Sequence, residues 1–126
     1  MITKNASLLT AIFVILISTI TLPLAFAEDK LVSIPSGTSV PGCEETDECF
    51  IPASITVNPR DTVTWANDDT AAHTVTSGTV ESGPDQIFDS SLFMAGTTFE
   101  HTFDDSGEYD YFCMVHPWMI GKVQVG

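Results

Sequence analysis

From Glu28 to the C-terminus no stretch sustains the 3.6-residue apolar spacing of a helix. Short β-branched and aromatic runs recur instead, cut every few residues by Gly, Pro, Asn or Asp. Leu31–Ile34 reads as a first strand, ended by Pro35-Ser36-Gly37, and Ile55 and Val57 belong to a second. Thr62–Trp65 is a third strand, with Val63 and Trp65 sharing a face. His73-Thr74-Val75-Thr76 opens a fourth after the loop Asn67-Asp68-Asp69-Thr70. The segment from Ser77 to Ala95, with Gly78, Gly83 and Pro84, reads mainly as loop, with a short strand around Gln86 to Phe88. Thr97–Phe103 puts Phe99, His101 and Phe103 on one side; Tyr109, Tyr111 and Cys113 alternate next, and Ile120–Val125 closes the chain. The expectation is an all-β chain, an antiparallel sandwich or barrel of about seven to eight strands in one domain.

The N-terminus is of another kind. Lys4 precedes a run from Leu8 to Leu22 rich in Leu, Ile, Val and Ala, and Ala25-Phe26-Ala27 has the small-x-small form of a cleavage site. Residues 1–27 therefore read as an export signal, with the folded domain spanning 28–126. The competing reading is an uncleaved membrane anchor, because the uncharged window from Asn5 to Ala27 is long enough to span. Either way the domain is placed outside the cytoplasm: periplasmic, pseudoperiplasmic or cell-surface. Membrane association follows only if the segment is retained.

Beyond Ala27, 17 acidic residues face only Lys30, Arg60 and Lys122, a formal charge of −14. Such a surface repels nucleic acid and anionic headgroups. It either steers a basic partner or simply keeps an exported domain soluble.

Three cysteines divide by position. Cys43 and Cys49 flank an acidic pentapeptide, and in an oxidising compartment they are expected to pair, leaving Cys113 as a thiol. The alternative for Cys43 and Cys49 is a second metal site with the carboxylates between them.

Cys113 opens the stretch Cys113-Met114-Val115-His116-Pro117-Trp118-Met119, which holds a thiolate, an imidazole and a thioether at spacing Cys-x2-His-x2-Met. Thiolate and thioether suit Cu(I) and imidazole holds Cu(II), so this donor set suits one copper ion cycling between the two states. A lone buried Cys is ordinarily a small hydrophobe, and Met119 alone would be core; the spacing argues otherwise. Pro117 restricts His116 to extended conformations and stiffens the loop. A further imidazole is needed, and His73 is the candidate. His101, between Glu100 and Thr102, fits no ligand position.

Trp65-x-Asn67, then His73-x-Val75, then Cys113-x2-His116-x2-Met119, resembles the blue copper proteins, or cupredoxins. The short Cys-to-Met spacing is most similar to amicyanin within the plastocyanin-like group. The resemblance covers about Ser54 to Val125. It implies a Greek-key β-sandwich with one mononuclear type 1 copper, held by His73, Cys113 and His116 in the equatorial plane and by Met119 at the long axial position. It also implies that Asn67 hydrogen-bonds across to the Cys-bearing loop. Three features depart from the family pattern: Met114 where Ser or Thr is usual, Ala72 where Pro is common, and the Cys43/Cys49 loop.

The function implied is one-electron transfer between extracytoplasmic redox proteins, through a His116 edge ringed by Pro117, Trp118 and Met94. Two other classes compete. A copper enzyme acting on a small molecule such as nitric oxide would need an open site, and no acid–base pair stands beside the motif. A copper carrier would be rich in exposed Met or Cys, and four Met in the whole chain argue against it.

Overall fold

The computed structural model describes residues 11–21 and 30–126. The proposed cleavage site, Ala25-Phe26-Ala27, lies outside the described residues. Among them, no helix is long and apolar enough to cross a membrane.

Among the described residues, eight strands form two sheets: β1 (Lys30–Ile34), β2 (Ser54–Val57), β3 (Thr62–Asn67), β4 (Thr76–Thr79), β5 (Gly83–Asp89), β6 (Thr98–Thr102), β7 (Gly107–Phe112) and β8 (Ile120–Val125). One sheet has the order β1-β3-β6 and the other β2-β8-β7-β4-β5. The expected sandwich of seven to eight strands is thus present, with one difference in direction. β1 pairs with β3, and β2 with β8, in parallel. Parallel partners need long connections between them, and both pairs are far apart in sequence. The loop from Pro35 carries the chain from one sheet towards the other, and Ser33 and Ile51 bridge at its two ends.

Alternation sets the core. Val63, Trp65 and Asn67 of β3 point inward, as do Gly121, Val123 and Val125 of β8. Trp65 is fully buried and packs edge-on against Tyr111, with ring centroids 5.4 Å apart, and against Phe88 and Phe99. Each such side chain contributes about 1.5–3 kcal/mol by leaving water. A Cβ at Gly121 would overlap the Tyr111 ring, so β8 can close over the aromatic cluster only through glycine.

The segment read as mainly loop is a hairpin, β4–β5. Its irregular composition reflects a bulge between Thr76 and Gly78, where Gly78 has φ +123° and a Cβ would strike the Gly83 carbonyl. The strand expected to open at His73 begins at Thr76. His73 instead makes an isolated bridge to Phe93, its N–H and C=O both bonded to that residue.

Candidate metal centre

Two backbone devices hold the candidate ligand residues. On one side is the His73–Phe93 bridge. On the other, the loop between β7 and β8 is closed at its neck: Cys113 N–H donates to the Met119 carbonyl at 3.1 Å, and Met119 N–H donates to the His116 carbonyl at 2.9 Å. These bonds fold Cys113, His116 and Met119 into one turn, with Cys113 and Met119 fully buried.

The side chains converge. Cys113 Sγ lies 3.8 Å from His73 Nδ1 and 3.6 Å from His116 Nδ1, and the two Nδ1 atoms are 3.1 Å apart. Ligand atoms about 2.0–2.3 Å from a shared ion stand about 3.5–4 Å apart in a trigonal arrangement, so this triad fits a single small cation, drawn in slightly between the imidazoles. Two nitrogens and a sulfur form a set suited to copper. His73 is buried and His116 is half-buried, its ring against Trp118 with centroids 5.4 Å apart.

Electrostatics prepare the triad. Burial pushes the Cys113 thiol up, but His73 and the N–H groups of Thr74, Val115 and His116 outweigh it, and its pKa is lowered towards the thiolate. Burial and the neighbouring His73 lower His116, which favours the neutral imidazole a metal needs. Burial also acts to lower His73, yet the contacts to Cys113 and Asp69 overcome it and raise its pKa.

Asn67 departs from expectation. Its Nδ2 donates to the carbonyls of Ala71 and Phe93, and its Oδ1 accepts the Asp69 N–H. It therefore braces the segments on either side of His73 and makes no bond to the Cys-bearing loop. The tie across is Thr74: its N–H donates to Cys113 Sγ at 3.3 Å and its Oγ1 accepts from Met114 N–H at 2.8 Å. Thr74 supplies on the His73 side the hydroxyl that Met114 lacks.

The Cys43–Cys49 disulfide is formed, so those sulfurs are not free as metal ligands. Its segment reaches the ligand loop, where Trp118 Nε1–H donates to the Thr38 carbonyl at 3.0 Å. Trp118 is thus a packing residue. His101 lies away from the triad, its ring tilted against Phe88 and edge-on to Phe103.

The model of the copper binding proteins of the plastocyanin/azurin family matches residues 38–126. The chain belongs to that family. This cupredoxin is 30% identical over 111 residues to amicyanin of Paracoccus versutus, covering 80% of this chain and 82% of the relative. It is 35% identical over 83 residues to the chloroplastic plastocyanin of Tetradesmus obliquus, covering 60% of this chain and 57% of that protein. Among solved structures, it superimposes on the purple cupredoxin from Nitrosopumilus maritimus with a TM-score of 0.70 at 33% identity, over 78% of this chain and all of that one. Copper is the cofactor of this cupredoxin.

Proposed function

We propose that this cupredoxin carries single electrons between redox proteins outside the cytoplasm, and that His73, Cys113, His116 and Met119 are the residues that would hold its copper. The observation that carries the reading is the convergence of Sγ and two Nδ1 atoms within one hydrogen-bonded framework. Bound there, copper supplies the Cu(II)/Cu(I) couple. The protein's part is to hold its donors still through both states. The neck bonds of the ligand loop, the Thr74 tie and the His73–Phe93 bridge each restrain one ligand.

Access is one-sided. His73, Cys113 and Met119 are buried, which favours electron transfer over action on a small molecule such as nitric oxide, since that chemistry needs an open coordination position. The half-buried His116 is the route outward. Met114, Val115 and Pro117 beside it are exposed, as is Met94 next to Phe93, an apolar surface suited to brief encounters. The surrounding charge of the mature chain suits a partner with a basic docking surface. Residues 1–27 serve export in this reading, and 28–126 form the working domain.

The test is visible absorption and electron paramagnetic resonance with one equivalent of Cu(II). An intense thiolate charge-transfer band with narrow copper hyperfine splitting is expected. A pale spectrum with ordinary splitting would refute the ligand assignment.

A further inference from the structure

Asp69 has no part in the ligand set, yet it is one of the most enclosed carboxylates in the protein, only 4% exposed. An ionised carboxylate so placed is costly unless its oxygens are matched by donors. Here they are. Oδ1 accepts N–H bonds from Gly37 at 2.9 Å and Thr70 at 2.8 Å, and Oδ2 lies 2.7 Å from His73 Nε2.

The geometry decides which way the His73 ring is protonated. An ionised carboxylate can only accept, so the proton of the neutral imidazole resides on Nε2 and leaves the Nδ1 lone pair free. Nδ1 is the atom that faces Cys113 Sγ and His116 Nδ1. Ring orientation and tautomer are thus both set from behind, by a residue four positions earlier in the loop between β3 and β4.

We propose that Asp69 is a positioning residue for the copper site: it presents His73 Nδ1 to the metal, and its buried negative charge favours Cu(II) over Cu(I). The proposal rests on the ligand assignment made above. Cu(II) carries one more positive charge than Cu(I), so an anion one imidazole away, poorly screened by solvent, stabilises the oxidised state more. The same carboxylate fastens Gly37, so the segment leading to the disulfide is tied to His73 through one side chain.

The test compares copper-loaded wild type with Asp69→Asn, a neutral side chain of the same shape, by potentiometric titration of the thiolate band. The Asn variant is expected to keep the band and shift the Cu(II)/Cu(I) balance about tenfold towards Cu(I), which is 59 mV for a one-electron couple. A purely structural tether would weaken stability without moving the potential. Wild type with the band, matched within about twofold in that balance by Asp69→Asn, overturns the proposal alone; wild type without the band overturns it together with the ligand assignment. If Asp69→Asn fails to fold, nitrogen–proton correlation spectra of the Cu(I) wild type decide. A His73 Nε2–H resonance protected from exchange supports the proposal, and a ring protonated on Nδ1 sinks it.

Discussion

The backbone N–H of Thr74 points at Cys113 Sγ from 3.3 Å, and the Thr74 hydroxyl accepts the N–H of Met114, the next residue after that cysteine. One residue, adjacent to a proposed copper ligand on one loop, therefore grips the other ligand loop at two points. The sulfur receives a donor that favours the thiolate, and the backbone beyond it is fixed in register.

Thr74→Val keeps the shape and removes the acceptor. The Met114 N–H then loses its partner, at an expected cost of about 1–3 kcal/mol. Chemical denaturation of the metal-free protein measures this, with Thr74→Ser expected to recover most of the loss. Equal stability of Val and wild type would mean that the tie between the loops contributes nothing.

Cys113→Ser is expected to abolish the intense visible band while leaving the metal-free fold nearly intact, because Ser fills the buried position with one atom exchanged. Absorption after copper addition, paired with circular dichroism, checks both halves. Survival of the band would remove Cys113 from the ligand set.

Met119→Leu removes a weak thioether donor and keeps the volume. With Met119 axial, the reduction potential is expected to rise and the strong colour to persist, because the thiolate bond is untouched. An unchanged spectrum and potential would show that Met119 only fills the core.

His101 offers a pH test away from the copper. Burial against Phe88 and Phe103 holds its pKa below 6.5, against the opposing pull of Asp104. The unfolded chain therefore binds the proton first as pH falls, and His101's contribution to stability, fully present above about pH 6.5, is lost as pH drops through its folded pKa. His101→Phe is expected to flatten that part of the stability–pH profile. Parallel profiles for the two proteins would contradict the assignment.

Much of this was legible in the residues, for identifiable reasons. Period-two alternation marked β3, β6 and β7, because successive side chains of a strand face opposite sides of the sheet. Cys113, His116 and Met119 stood out as candidates because they share one short loop, and His73 because few histidines were available; the fold brings His73, Cys113 and His116 together. What escaped was set by geometry across the fold. Asp69 and Thr74 act through partners up to 40 residues away in sequence, and nothing in the string Asn67-Asp68-Asp69-Thr70 says which carboxylate turns inward. Asn67 was assigned to the wrong loop for the same reason: its inward direction follows from alternation, but its partners do not. The β4–β5 hairpin was hidden by Gly78 and Gly83, which resemble loop residues until the bulge that needs them is seen.

The ligand loop hangs between the last two strands, and β8 is anchored on its far side by parallel pairing with β2, Ser54 lying opposite Lys122. That pairing joins distant parts of the chain and closes a long loop between them. The loop that faces His73 is thus held in shape from both sides, by β7 and by the C-terminal strand. The copper pocket is in this sense the seal on a finished fold. A chain shortened by its final strand would retain every proposed ligand and lose the place where they meet.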